Sequence, residues 1–276
     1  MSLLEFFKLR ESPFAITVDS RFFCSTDQHA EALVRLKYAA EQMKGLALVV
    51  GDIGTGKTTL ATRLLEELEN GAYEAALLIV IHAGVTSEWM LRKIALQMDI
   101  AEPAHNKTEL LTQLSRRLVE VHESGKKAVV LIDEAQMLRS QELMEDFRGL
   151  LNIEIDGQKA VTFILFGLSD LDSVLALDPP LHQRVAIRCR LTELDVGCTE
   201  TYVKHRLDIA GAQQPIFAAD CFPVIRQYTK GTPRLINALC DNALLEAFLR
   251  RRAQVECDLI HDVARDLNLA GAVTAS

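Results

Sequence analysis

The sequence lacks an excess of positive charge and has no long apolar run. Its 276 residues include 38 acidic and 30 basic side chains, which gives a formal net charge of −8 at pH 7. No global positive field therefore attracts the chain to DNA or to an anionic membrane. The longest apolar runs, at 46–50, 75–81 and 128–132, are far shorter than the roughly 20 residues of a membrane-spanning helix. We therefore expect no intrinsic membrane span.

Paired cysteines and secretion signals are also missing. The six cysteines form no CxxC pair and have no histidine at metal-ligand spacing, so we expect reduced structural thiols. The histidines show no pattern of a hydrolase triad or a metal site. The opening segment MSLLEFFKLRE lacks a basic leader and carries charges within its short apolar stretch, unlike a signal peptide. These features predict a cytoplasmic protein.

Short apolar segments alternate with amphipathic segments between residues 27 and 194. The apolar segments are nearly continuous, as in strands that are buried on both faces of a parallel sheet. The pattern predicts strands at 46–50, 75–82, 127–133, 160–167 and 185–191, and helices at 27–44, 58–70, 87–97, 107–123 and 141–151. This order predicts an α/β fold in which helices flank a parallel sheet.

The remaining segments predict a strap, a second domain and a tail. Residues 1–26 contain Pro13 and several phenylalanines, which favour an irregular strap packed on a neighbouring surface. After the last strand only helical patterns remain, at 198–211, 218–228, 233–250 and 258–267. We therefore predict a strap at 1–26, an α/β domain at 27–194, a small all-helical domain at 195–270 and a tail at 271–276.

A glycine-rich loop separates the first predicted strand from the following helix. Its sequence GDIGTGKT fits the P-loop pattern GxxxxGK[ST], in which backbone N–H groups surround phosphates beside a helix N-terminus. Lys57 would contact the β- and γ-phosphates, and the Thr58 hydroxyl would bind Mg²⁺. The alternative is a plain glycine turn. The predicted nucleotide-binding residues of the loop are Gly51, Asp52, Ile53, Gly54, Thr55, Gly56, Lys57, Thr58 and Thr59.

The strand predicted at 127–133 ends in two acidic residues, Asp133 and Glu134. In a parallel sheet, this strand end lies at the same edge as the P-loop. We expect Asp133 to hold Mg²⁺ through the water shell of the metal, and Glu134 to orient and polarise the attacking water. The alternative is that both acids only cap the following helix.

The strand predicted at 160–167 ends close to a small polar residue, Ser169. We expect this strand to lie between the P-loop strand and the acidic strand, as in the additional-strand group of P-loop proteins. Its end would then offer Ser169 to the γ-phosphate. The alternative for Ser169 and Asp170 is an ordinary helix cap.

Two arginines are candidates for contacts with a nucleotide. Arg184 precedes the last strand, where it could reach the γ-phosphate of a neighbouring subunit and stabilise transition-state charge. Arg188 and Arg190 compete for this role, and a surface ion pair is the alternative. Arg234 follows Pro233 in the first turn of a helix, where a cation is unfavourable unless an anion lies nearby. We therefore predict that Arg234 senses bound nucleotide, the alternative being a surface charge.

Together, several segments resemble the ExeA/GspA-type ATPases of secretion and pilus assembly. The resemblance covers nearly the whole chain and implies an AAA+ module with a helical lid, Mg²⁺-dependent ATP hydrolysis and the site roles given above. It also implies a homo-oligomer that assembles a type II secretion or pilus machine, in the cytoplasm or peripheral at the inner membrane. The matching segments are 6–23, GDIGTGKTT at 51–59, VLIDEAQML at 131–139, ILFGLSDL at 164–171, LHQR at 181–184 and KGTPRLIN at 230–237.

The chain is also similar to the target-selection ATPases of transposons, which form ATP-dependent oligomers on DNA. This resemblance implies DNA and a transposase as the alternative partners. The compact basic clusters at 126–127 and 250–252 are predicted to be solvated, the second as a helix end, with nucleic acid or anionic lipid as the alternative contact.

Overall fold

The computed structural model describes residues 2–15, 19–69 and 71–269. The predicted tail at 271–276 lies outside the described residues, as do residues 16–18 of the predicted strap. The chain forms two compact units. One is an α/β unit whose described residues are 27–52, 57–69 and 71–191, and the other is a helical unit whose described residues are 2–15, 19–26, 53–56 and 192–269.

The α/β unit contains a parallel sheet of five strands in the order β2-β3-β6-β1-β7. β6 lies between β1 and β3, as predicted. Nearly every residue of β1, β3 and β6 is buried, which means that both faces of these strands are covered. The strands are β1 Leu46–Gly51, β2 Tyr73–Ile79, β3 Lys127–Asp133, β6 Val161–Gly167 and β7 Val185–Leu191.

Helices flank this sheet, and the prediction of an α/β fold is confirmed. Each of the five long helices has buried apolar residues at spacings of three and four, which is the pattern of a helix that packs on one face. The bounds of α4 and α5 agree with the prediction. The helices are α2 Asp27–Glu41, α3 Lys57–Leu68, α4 Ser87–Gln97, α5 Lys107–Glu123 and α6 Gln141–Leu150.

Some parts of the α/β unit differ from the prediction. β2 begins and ends earlier than predicted, because its pairing with β3 stops at Ile79 although the apolar run continues to Ile81, which is 78% exposed. Several short elements were missed, because two to five residues are too few to show a period. They include the antiparallel hairpin of β4 Glu154–Ile155 and β5 Gln158–Lys159, and the helices α7 Leu171–Leu175 and α8 Pro179–His182.

The helical unit has its own apolar core, to which the N-terminal segment contributes Phe7, Phe14 and Phe22. The expectation of an irregular segment is wrong for its first residues, because Ser2 and Glu5 form a capping box that begins a short helix. Among the described residues, no helix is long and apolar enough to cross a bilayer. The helices are α1 Leu3–Phe7, α9 Val196–Ile209, α10 Cys221–Thr229, α11 Pro233–Leu249 and α12 Cys257–Asp266.

Candidate active site

The glycine-rich loop connects β1 to α3. Gly54 and Gly56 have φ angles of +82° and +97°, in a region that strains any residue with a side chain. Lys57 is the first residue of α3 and is only 6% exposed. Its Nζ donates to the carbonyl oxygens of Gly51 at 2.8 Å and Asp52 at 2.9 Å. The loop therefore presents a buried cation directly after β1.

Burial lowers the pKa of Lys57 below its ordinary value, and the nearby carboxylates of Glu134, Asp133 and Asp52 act in the opposite direction. A buried ammonium is costly unless anions compensate it. Phosphate oxygens would supply that compensation. Of the other predicted loop residues, Thr55 is buried, Thr59 is half-buried and Ile53 is exposed.

Thr58 and Asp133 meet at the end of β3. The Thr58 hydroxyl donates to Asp133 Oδ2 at 2.5 Å, and the backbone N–H of Glu134 donates to Asp133 Oδ1 at 2.9 Å. Burial raises the pKa of Asp133, while these two hydrogen bonds lower it. A hydroxyl and a buried carboxylate are the hard oxygen donors that Mg²⁺ prefers. The pair fits the predicted metal site, because a divalent cation would offset the cost of the buried carboxylate.

Glu134 follows in a left-handed backbone conformation, with φ of +56°. It precedes a 3₁₀ turn, Ala135–Met137, and its side chain makes no capping hydrogen bond to that turn. The alternative that the acidic pair only caps a helix therefore finds no support. Instead, Glu134 Oε2 accepts a hydrogen bond from Gln136 Nε2 at 2.5 Å.

Gln136 belongs to this site but was not among the sequence-predicted residues. Its side chain is buried, and its Oε1 accepts from the backbone N–H of Leu168 at 3.1 Å. The feature of the sequence that could have pointed to Gln136 is its amide side chain, two residues after the predicted catalytic acid and between Ala135 and Met137. Only the fold reveals that this amide reaches the segment after β6.

Ser169 lies in that segment, and its hydroxyl donates to Asp52 Oδ1 at 3.3 Å. The alternative that Ser169 and Asp170 form a helix cap is not supported, because the Asp170 side chain makes no capping hydrogen bond at the start of α7. The Asp170 carboxylate instead accepts from Arg139 at 2.8 Å. The structure thus brings Ser169 to a P-loop residue, and its contact with γ-phosphate stays a prediction.

The three candidate arginines before or within β7 differ in their partners. Arg188 is exposed and forms an ion pair with Asp172. Arg184 is half-buried, and its guanidinium donates to the backbone carbonyl of Arg148 at 3.3 Å. In the described part of the chain, no carboxylate lies within ion-pair distance of Arg184 or Arg190. Arg188 is therefore the least available of the three for a phosphate.

Arg234 lies in the helical unit, together with residues 53–56. Its backbone N–H donates to the Gly54 carbonyl at 3.3 Å, and a Cβ at Gly54 would come within 2.7 Å of Arg234 Cβ. Pro233 is the first residue of α11, but Thr232 makes no capping bond with its side chain. Arg234 therefore packs directly on a P-loop glycine, and its role as a nucleotide sensor stays a prediction.

The six cysteines are free thiols, as predicted. Cys221 and Cys257 are far apart in the sequence, but their Sγ atoms approach each other to 3.9 Å, with Asp220 close by. Burial raises the pKa of Cys221 to about 12. The raised pKa favours the neutral thiol of Cys221 over its thiolate.

Comparison with known proteins agrees with this geometry. A family model described as an AAA domain matches residues 40–175. Over 249 residues the chain is 34% identical to General secretion pathway protein A of Aeromonas hydrophila. The chain belongs to the AAA family of P-loop ATPases. The predicted resemblance to the ExeA/GspA type is confirmed. The match covers 89% of this chain and 45% of the relative, so the AAA chain spans about half the length of that protein.

Solved structures share the fold of this AAA chain at low sequence identity. The Aeropyrum pernix ORC2 protein, in ADPNP–ADP complexes, has a TM-score of 0.69 at 17% identity, over 93% of this chain and 71% of that one. Cdc6p from Pyrobaculum aerophilum has a TM-score of 0.71 at 19% identity, over 91% and 72%. The Thermotoga maritima RuvB branch migration motor has a TM-score of 0.54 at 20% identity, over 88% and 70%. These likenesses support the fold.

Proposed function

We propose that this AAA-family chain binds ATP with Mg²⁺ and hydrolyses it, and that it acts as an oligomer that powers or regulates assembly of a secretion or pilus-type export machine. The observation that carries the proposal is the hydrogen bond between Thr58 and Asp133, at 2.5 Å. It joins the first turn after the P-loop to the end of β3. A hydroxyl and a buried carboxylate are thereby held together next to a buried lysine.

The residues of the site divide the work of phosphoryl transfer to water. Lys57 would exchange its two P-loop carbonyl partners for phosphate oxygens. Thr58 and Asp133 would hold Mg²⁺, which supplies positive charge against the phosphate oxygens. Glu134 would orient the attacking water and accept its proton. Ser169 would contact the γ-phosphate, and Arg234 would sense the nucleotide.

The biological role is supported by the similarity to General secretion pathway protein A. We propose an inner-membrane component of an export machine as the partner, with the chain in the cytoplasm or peripheral at that membrane. The basic cluster at 250–252 gives little support to the alternative partners, DNA and a transposase. Arg250 pairs with Glu246 and Asp262, and Arg252 pairs with Asp258. These charges are already partly compensated by acids.

ATP turnover tests the enzymatic part of the proposal. We expect Lys57→Ala to lower kcat by about a hundredfold or more, since a buried charge that faces the transferred phosphate is lost. Lys126→Ala is the matched control, because Lys126 forms a part-buried ion pair with Glu74, which keeps Arg117 as a second partner, and its turnover should equal that of the wild type. Equal turnover in wild type and Lys57→Ala would refute the enzymatic proposal.

Assembly of the Glu134→Gln variant tests the partner. This variant should retain ATP and accumulate as an oligomer in size-exclusion chromatography with light scattering. Assembly that is indifferent to double-stranded DNA, at a stated salt concentration, is expected for the export role. Assembly that requires DNA would replace that role with target selection in transposition.

A further inference from the structure

We propose that Gln136 is a positioning residue that couples the catalytic Glu134 to the end of strand β6, and thereby to the occupancy of the γ-phosphate position. The inference rests on the proposed ATP hydrolysis. It adds a residue that controls when the carboxylate of Glu134 can act on water.

The first step is the hydrogen-bonding pattern of the Gln136 amide. Its Nε2 donates to Glu134 Oε2 at 2.5 Å, and its Oε1 accepts from the Leu168 N–H at 3.1 Å. Gln136 is only 2% exposed, so water cannot readily replace a partner that is lost. A hydrogen bond to a charged group is stronger than one between neutral groups. The amide therefore fixes the direction of the Glu134 carboxylate.

The second step is the close contact between Gln136 and the end of β6. A Cβ atom at Gly167 would come within 2.9 Å of Gln136 Oε1 and 3.3 Å of the Gln136 backbone nitrogen. Gly167 thus leaves just enough space for the amide to reach Leu168. The fit depends on glycine at the last position of β6 and on glutamine in the turn after β3.

The third step connects this contact to the P-loop. Ser169 follows Leu168 directly, and its hydroxyl donates to Asp52 at 3.3 Å. The segment 167–170 is thus held on one side by the P-loop and on the other by the turn that carries Glu134. A displacement of Ser169 by a γ-phosphate would move the Leu168 N–H. Gln136 would transmit that movement to the carboxylate of Glu134.

Glutamine suits this position because one side chain must donate and accept at the same time. Glutamate at 136 would offer only acceptors when ionised, and two carboxylates would then face each other. Methionine would fill a similar volume with neither group. These two replacements therefore separate the hydrogen bonds from the packing.

The first experiment compares Gln136→Met with Gln141→Met. Gln141 is an exposed glutamine whose amide also donates to a glutamate, Glu145, at 3.0 Å, so the chemical change is the same outside the site. We expect Gln136→Met to lower kcat by about ten- to a hundredfold, a part of what a general base contributes. The Kd of a fluorescent ATP analogue should change by less than about threefold. Gln141→Met should behave as the wild type.

The second experiment uses Gln136→Glu, which also serves if the methionine variant does not fold. When ionised, this side chain offers only acceptors, so two carboxylates would face each other and that of Glu134 would be displaced. We expect kcat to fall at least as far as in Gln136→Met, while the Kd of the ATP analogue changes by less than about threefold. A kcat equal to that of the wild type would overturn the proposal.

A double-mutant cycle completes the test. If Gln136 acts through Glu134, then Gln136→Met should have almost no effect on residual turnover in the Glu134→Gln background. Full additivity, an unchanged kcat, or a parallel loss of ATP affinity and melting temperature would each overturn the positioning role. A wild type without ATP turnover would instead refute the proposed function itself, so the two failures are distinguishable.

Discussion

Asp133 is 1% exposed, and burial raises the pKa of its carboxyl above the ordinary value. The folded chain therefore binds this proton more tightly than the unfolded chain does. As the pH rises from the ordinary pKa through the raised one, the folded state loses the proton at a cost that the unfolded state does not pay. Without a metal ion, the ionised Asp133 reduces stability at neutral pH.

We therefore expect Asp133→Asn to raise the melting temperature of the nucleotide-free protein by a few degrees at neutral pH, while abolishing ATP turnover. The asparagine amide removes the buried charge but can still accept the Thr58 hydrogen bond. The gain should shrink as the pH falls toward the ordinary pKa of an aspartate, because the wild-type carboxyl takes up its proton above that pKa. Thermal unfolding across this pH range is the measurement. A melting temperature lowered at neutral pH would contradict the argument.

Gly167 provides a second prediction at the level of single residues. Alanine at this position would place a Cβ 2.9 Å from Gln136 Oε1 and 3.0 Å from Leu171 Cδ2. The amide of Gln136 would have to move away from Leu168. We expect Gly167→Ala to lower kcat about tenfold while the affinity for ATP stays within about threefold. Gly149→Ala is the matched control, since a Cβ there has no neighbour within 4 Å.

Residues close together in the sequence and residues close together only in space differ in how well they could be predicted. The pattern around Lys57 and Thr58 is local, and Asp133 follows a strand that is recognisable by itself. Gln136 and Gly167 meet only because β6 lies next to β3 in the sheet. That pairing was predicted, but side-chain contacts across it depend on register. The hydrophobic pattern specifies register where one face of a strand is buried, whereas β3 and β6 are buried on both faces.

At the scale of elements, Arg206 of α9 holds the N-terminal segment within the helical unit. The side chain is 7% exposed. It donates to the carbonyl oxygens of Pro13 at 2.5 Å and Ala15 at 3.3 Å, and to the Tyr202 hydroxyl at 2.9 Å. Its guanidinium also lies 4.9 Å from the ring centroid of Phe22. A single buried arginine thus satisfies polar groups of two chain segments.

We expect Arg206→Met to destabilise the helical unit by about 2–4 kcal/mol, because two carbonyls lose a charged donor in a buried environment. Arg250→Met is the control, since Arg250 forms exposed ion pairs and such pairs contribute about 1 kcal/mol or less. Hydrogen exchange of α9 and α11 measures the loss. Equal protection in the two variants would show that Arg206 does not hold the segment.

The success of element prediction depended on the length of each element. α4 and α5 could be placed because each has more than ten residues and a clear apolar stripe. α1 was missed because it has five residues and depends on the capping box of Ser2 and Glu5. α7 and α8 are similarly short. Their positions depend on contacts with other elements more than on their own pattern.

At the scale of the whole molecule, we propose Arg184 for a contact between subunits, with Arg190 as the competing candidate. Arg184 lies two residues after α8 and forms no ion pair among the described residues, although it attracts the carboxylate of Glu154 electrostatically, whereas Arg188 is paired with Asp172. A guanidinium that is not held in an ion pair is available to a phosphate. In the proposed oligomer, that phosphate would belong to the nucleotide of the neighbouring subunit.

This arrangement predicts that two inactive variants restore activity when they are mixed. Arg184→Ala retains Glu134 but lacks the arginine for its neighbour, and Glu134→Gln has the opposite defect. In a random equal mixture, about a quarter of the sites combine an intact Glu134 with an intact Arg184 from the next subunit. Turnover should therefore rise to a substantial fraction of the wild-type rate, and it should increase with total protein concentration.

The same mixing experiment separates the competing arginines. Arg188→Ala should be active by itself, because its ion pair with Asp172 lies outside the proposed contact. If Arg190→Ala is inactive and recovers with Glu134→Gln while Arg184→Ala does not recover, then Arg190 supplies the contact. If no arginine variant recovers and turnover per subunit is independent of concentration, then each subunit completes its own site, and hydrolysis does not depend on assembly.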